Sequence, residues 1–292
     1  MEKKSLRKQI WELLSPMLVR GAVVFVVELI IVTAYCMQFL PELMEVAGTQ
    51  EALTEKLLEI TEGIYDYVLE ITAVASLVTI PFLIFMRKRD LRKEAEAGIL
   101  QNKKASLKKY LLVAGISVSL ALALNNIITL SSLAEQSIAY QEAAEMLYMP
   151  SLPVQIVCVG LIVPICEELL FRGLIYKRLR RNMSFMNAVV FSAIFFGAYH
   201  VNIVQFLYGT VCGLLLAYVY EKYGSIMAPI MAHMLMNIVV CILTDVNGFT
   251  WMFSQPMRMA LITAACAGIA TTMFLLIRQI DEKPETEVLQ KC

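Results

Sequence analysis

The sequence predicts an all-α polytopic membrane protein of about eight transmembrane helices, and three observations predict it. Hydrophobic residues fill 59% of the 292 positions and charged ones only 17%, with a mean hydropathy of +0.67, a balance that no ordinary soluble domain carries. The apolar residues gather in eight runs close to the ~20 residues that a bilayer crossing requires. Between those runs the charges segregate, acids in some loops and bases in others. The formal net charge of +0 lacks the basic excess of a nucleic-acid partner, so none is expected, and it gives no support to acidic substrates. Membrane lipid is the implied surrounding.

Taken in order, a basic start (Lys3, Lys4, Arg7, Lys8) precedes a first run at about 21–40. That run is too long for a signal-peptide core and has no small-residue cleavage site, so it is read as a retained span. Glu28 within it is expected to bond a neighbouring helix, and Arg20 at its edge to snorkel outward. Residues 41–66 hold seven acids against one base, Lys56, which fits a solvated outer loop, partly helical. A second run covers about 67–86. Nine bases lie between Arg87 and Lys109, and the positive-inside rule makes that loop cytoplasmic.

The third run, about 110–130, is interrupted by Asn125 and Asn126, which either bond a neighbouring helix or line a polar cavity. Residues 131–151 carry Glu135, Glu142 and Glu145 and no base, so this loop is expected outside. The fourth run, from about Leu152, has Pro164 one turn before two glutamates. Proline there frees a backbone carbonyl and can kink a helix, which is tolerated where the helix lines a cavity. Lys177, Arg178, Arg180 and Arg181 form a second cytoplasmic anchor.

Runs at about 184–199, 203–220, 225–243 and 257–277 complete eight spans, placing both ends of the chain on the cytoplasmic side of a cell membrane. Gly209 and Gly213 make a small-x-x-x-small pair that lets helices approach closely. The charged tail after Arg278, with Pro284, is expected to be poorly ordered. Six of the seven cysteines lie in apolar runs, Cys292 is terminal, and no C-x-x-C occurs, so they read as small buried hydrophobes. Without an internal repeat or a flexible linker, one membrane domain is expected. In it, residues 1–149 form three spans with polar loops, 150–245 the four helices that carry the chemistry, and 246–292 a last helix and tail.

The chemistry centres on Glu167-Glu168-Leu169-Leu170-Phe171-Arg172. Charge inside an apolar run costs roughly 2.5–3.5 kcal/mol per residue on insertion scales, so it is rarely idle. Glu168 and Arg172, four apart with the acid first, share a helix face and can neutralise each other. Glu167, rotated by about 100°, is left as the free carboxylate, a base or a ligand. As purely structural residues the two acids would instead lock helices together. Only two histidines exist, His200 and His233, and both fall in or at the ends of apolar runs rather than in the long polar loops. His233 and Asn237 share one helical face at i, i+4.

Two chemistries suit Glu167, Glu168, Arg172, His200, His233 and Asn237. In one, Glu167, His200 and His233 hold Zn2+ with water in the fourth position, the metal lowering the pKa of that water to roughly 7. In the other no metal is needed. Glu167 with His200 activates water, and His233 and Asn237 donate hydrogen bonds to the oxyanion. Either ends in hydrolysis of a peptide bond, and no H-E-x-x-H is present to favour the metal.

Three motifs here, E-E-x-x-x-R at 167–172, F-x-x-x-H from Phe196 to His200 and H-x-x-x-N from His233 to Asn237, resemble those of the CPBP intramembrane proteases. That family, also called Abi, groups CAAX prenyl endopeptidases with bacteriocin-processing and self-immunity proteins. The resemblance covers about residues 152–240. It implies a CAAX-protease-like helical bundle in which Glu167 and His200 activate water, His233 and Asn237 bind a metal or the oxyanion, and Glu168 and Arg172 orient the site. The implied partner is a membrane-associated peptide or protein substrate. A non-catalytic scaffold or self-immunity protein of the same fold is the alternative, and a transporter, without the repeats many transporters show, comes third.

One site also demands a particular geometry. If the fifth helix crossed straight from Ser184, His200 would lie about 24 Å from the inner edge, against about 14 Å for Glu167 and His233. The start of that helix must therefore project into the cytoplasm, or the hairpin at Val201-Asn202 must tilt. The cavity is expected between helices four, five and seven, opening to the cytoplasm.

Overall fold

The computed structural model describes residues 5–281. Lys3, Lys4 and the tail with Pro284 and Cys292 lie outside them. All regular structure among the described residues is helical, as the apolar runs require, since in lipid a helix satisfies its backbone within itself. The helices are α1 (Leu6–Gln38), α2 (Leu40–Val46), α3 (Gln50–Tyr65) and α4 (Val68–Glu96). They continue as α5 (Tyr110–Leu130), α6 (Leu133–Gln136), α7 (Ile138–Tyr148) and α8 (Leu152–Arg180). The last are α9 (Phe185–Ala198), α10 (Ile203–Tyr223), α11 (Met227–Asp245), α12 (Gly248–Phe253) and α13 (Pro256–Arg278).

Seven of these, α1, α4, α5, α8, α10, α11 and α13, are long and apolar enough to cross a membrane. The eighth expected span is α9, whose 14 residues make a rod of only ~21 Å. At the centre stand α8 and α10, each with 56% of its most apolar window buried, against 11% for α1 and α13 at the periphery. Phe25, Ile30, Phe82, Phe85, Leu111 and Leu261 are exposed on α1, α4, α5 and α13, an apolar exterior that suits lipid rather than water. The α4, α9 and α11 helices all pack on α8, while α5 lies between α11 and α13.

At the basic end, α8 is tied to α4 by charge. Glu94 pairs with Lys177 at 2.8 Å and with Arg181 at 2.8 Å, and Asp90 with Arg178 at 2.7 Å. The second basic anchor is thus largely neutralised by acids of the long helix α4, which runs on through Arg87–Lys93 instead of ending at the membrane edge.

The hairpin of α9 and α10 depends on glycine. A Cβ on Gly197 would meet the Phe206 carbonyl oxygen at 2.5 Å, and one on Gly213 would meet the Ala193 Cα at 2.9 Å. Backbone cannot step aside as a flexible side chain can. Gly197→Ala is therefore expected to cost ~1–3 kcal/mol, read as earlier thermal unfolding in detergent.

Two expectations for α1 need correction. Its helix begins at Leu6, some fifteen residues upstream of the apolar run, so Arg20 lies mid-helix. Arg20 does not snorkel but is 5% exposed inside the bundle. Glu28 is exposed and makes no side-chain hydrogen bond among the described residues. The asparagines of α5 divide their roles. Asn126 Nδ2 donates to Thr263 Oγ1 on α13 at 2.8 Å, whereas Asn125 Nδ2 donates to its own helix at Ala121 O and faces the cavity described next.

Candidate active site

Helix α8 changes its winding around the two glutamates. Residues Ile156–Ile162 and Phe171–Tyr176 are π-helical, and the α-helical stretch Val163–Leu170 lies between them. Such wide turns recur at functional sites. Pro164 brings no N–H to the i→i+5 pattern, so the carbonyl of Val159 loses that donor. Asn237 replaces it: its Nδ2 donates to Val159 O at 2.9 Å. The asparagine expected to face an oxyanion thus also binds the wall of the site. Asn237→Ala is expected to destabilise the protein by about 1–2 kcal/mol, measurable as a lower unfolding midpoint.

Glu168 and Arg172 form the anticipated pair. Arg172 Nη1 donates to Glu168 Oε1 at 2.8 Å, and both side chains are fully buried. The rest of the guanidinium joins the other helices, Nη2 donating to Gly213 O on α10 at 3.1 Å and Cζ lying 4.4 Å from the Phe196 ring centroid of α9. The same Glu168 Oε1 takes a hydrogen bond from His233 Nδ1 at 3.0 Å. With Nδ1–H so engaged, His233 turns Nε2 toward Glu167, whose Oε2 stands 3.9 Å away.

His200 follows the last turn of α9. Its Nδ1 lies 2.9 Å from the Phe196 carbonyl, an acceptor only, so Nδ1 carries the hydrogen and Nε2 keeps a free lone pair. Beyond it, Val201 has a φ of 68° and Asn202 N donates to His200 O at 2.8 Å, a tight three-residue turn. Asn202 then caps α10, its Oδ1 accepting from Gln205 N at 2.9 Å.

A cavity of about 280 Å³ is lined by Glu167, His200, His233 and Asn237 together. The depth problem disappears because α9 is short and Glu167 sits near the middle of the 29-residue α8. The expected opening is toward the basic loops, whereas much of the lining lies at the other end of the bundle. Beside further residues of α8 to α11, the lining takes Leu69 and Thr72 from the start of α4, Asn125 and Ile128 from the end of α5, and Tyr140, Leu147 and Tyr148 from α7. All of these belong to the acidic end of the bundle, where part of the expected outer loop 131–151 folds into α7 and presents Tyr140, Ala144, Leu147 and Tyr148 to the cavity. Burial pushes the Tyr140 and Tyr148 phenols up, so both act as neutral O–H groups.

Glu167, His200 and His233 share the cavity. Among the described residues no three His, Cys, Asp or Glu side chains gather as a metal cage. The sequence offered no signal for Tyr140, Tyr148 and Tyr208, because a tyrosine there cannot be told from core, and it set Arg20 at the edge of a span.

Residues 149–239 match the model of the family described as type II CAAX prenyl endopeptidase Rce1-like. This stretch of the chain is similar to the Rce1-like family. The resemblance carried by the three motifs is borne out over it, together with the helical membrane fold. A Bacillus subtilis (strain 168) protein named "Putative membrane peptidase YdiL" is 30% identical over 112 residues, which are 38% of this chain and 46% of that protein. The match therefore spans less than half the length of that relative. No solved structure matches the chain. The Rce1-like stretch contains α8 to α10 and the part of α11 with His233 and Asn237, whereas α4, α5 and α7 contribute cavity walls from outside it.

Proposed function

We propose that this protein is a membrane endopeptidase that hydrolyses a peptide bond of a membrane-associated peptide or protein. The observation that carries the reading is the meeting of Glu167, His200 and His233, from three different helices, at one cavity inside an apolar bundle. In lipid such groups are costly unless they have work to do.

A water between Glu167 and His200 gives its proton to the Glu167 carboxylate, while His200 Nε2 accepts a hydrogen bond from the other O–H and aims the oxygen at the scissile carbonyl. As the C–O bond forms, the oxyanion is stabilised by His233, held through Nδ1 by Glu168, and by the second Nδ2–H of Asn237. The proton on Glu167 then passes to the amine as the C–N bond breaks. Glu168 and Arg172 hold His233 in place. Zn2+, if the protein takes it, would have to draw on Glu167, His200 and His233 after rearrangement, because they do not converge as they stand. By the positive-inside rule the ends of the chain are cytoplasmic and the cavity lies toward the outer half of the membrane.

The test is cleavage of a pool of quenched fluorescent apolar peptides by the protein in proteoliposomes, beside the His200→Ala variant. Cleavage by the wild type alone is the expected result, and equal signals from both would end the reading. Activity that a chelator removes and zinc restores would add a metal to the scheme.

A further inference from the structure

We infer that Arg20 of α1, outside the Rce1-like stretch, is the positioning residue that sets both water-activating groups. The inference rests on the peptidase reading for its catalytic consequence, but its geometry stands independently. Arg20 is 5% exposed and lies mid-way along a span whose apolar window is otherwise mostly uncovered. A guanidinium at that depth is expensive unless it is held.

Three neighbours hold it. Arg20 Nε donates to the Tyr199 hydroxyl, Nη1 donates to Cys166 Sγ at 2.7 Å, and Nη1 also reaches Ser76 Oγ on α4 at 3.5 Å. The first two partners are the residues immediately before His200 and Glu167. One cation therefore grips the chain next to each of the two groups proposed to act on water, and does so from a third helix. The Tyr199 ring continues the link. It lies 5.4 Å under the Arg20 Cζ and packs edge-on against the imidazole of His200, with centroids 5.9 Å apart. On the other side it meets Phe171 at 5.5 Å, and Phe171 and Phe196 stack edge-on at 5.1 Å.

The planar fork is what the arrangement needs. It spans two partners in fixed directions, which a lysine ammonium on a flexible stem does not do. Arg20 does not line the cavity, so it acts through Tyr199 and Cys166 and not on substrate. Loss of the fork would let the His200 ring and the Glu167 turn drift relative to each other, and a displacement of ~1 Å between reacting groups costs about 10²-fold in rate.

The test compares wild type, Arg20→Met, Arg20→Lys and Tyr199→Phe in two readouts. The first is cleavage of the fluorescent peptide pool, with kcat and KM separated. The second is nitrogen NMR of histidine-labelled protein, where two histidines give two sets of ring signals, assigned with His200→Ala. We expect Arg20→Met to lower kcat about 10–100-fold with KM nearly constant, and to collapse the separation between the Nδ1 and Nε2 signals of His200 as its fixed tautomer is lost. Lysine should restore the fold but little of kcat. Should Arg20→Met fail to fold, Tyr199→Phe, which deletes a single oxygen, is read in the same way. A folded Arg20→Met or Tyr199→Phe with kcat and the His200 signals unchanged overturns the inference. A wild type that cleaves nothing, while His200 still responds to Arg20→Met, removes the peptidase reading and leaves the positioning role standing.

Discussion

Glutamine at position 167 is expected to lower cleavage by about 10²–10⁴-fold, the usual worth of a positioned general base, while the bundle keeps its stability. The substitution preserves shape and removes only the ability to take a proton from water. Glu167 is well placed for that dissection. Its carboxylate faces the cavity, and the ion-pair distance from its Oε2 to His233 Nε2 is 3.9 Å, too long for a direct hydrogen bond. Losing its charge therefore breaks no direct hydrogen bond to His233. The measurement is kcat of Glu167→Gln in proteoliposomes beside its unfolding midpoint. Full activity in the variant would show that another group accepts the proton.

The largest change in stability is expected one residue on. Arg172→Met leaves Glu168 fully buried and without its cation, at a cost of roughly 3–5 kcal/mol. Glu168→Gln alone strands Arg172 beside Gly213 O and the Phe196 ring and should be comparably harmful. Removing both charges together is expected to recover most of the loss, because the penalty belongs to the unpaired partner and not to the pair. Unfolding midpoints of the two single variants and the double variant decide it. A double variant as unstable as the sum of the singles would mean that Glu168 and Arg172 act independently, against the 2.8 Å contact between them.

The polar residues of the site were legible in the sequence because their position is itself the signal. A glutamate or histidine in the middle of an apolar run has no solvent to face, so its presence there points to a partner or a cavity. The Glu168–Arg172 pair followed from helical spacing alone. The Asn237 bond to the Val159 carbonyl did not, although both halves were visible. Pro164 announced a freed carbonyl and Asn237 a free donor, but only the packing of α11 against the π-helical turn of α8 joined them.

By itself the sequence determined that this chain is a helical membrane bundle, where its long spans lie, and which few polar side chains stand out inside them. Each follows from short-range physics, the cost of exposing backbone or charge to lipid, which acts on every residue separately. Tertiary structure alone decided that Arg20 is buried beside Tyr199 and Cys166, that α9 stops short enough to bring His200 to Glu167, and that α7 covers the cavity at the acidic end. Those depend on which helices touch and at what height. Apolar side chains facing lipid or one another are nearly equivalent in energy, so hydropathy along the chain carries no record of that choice.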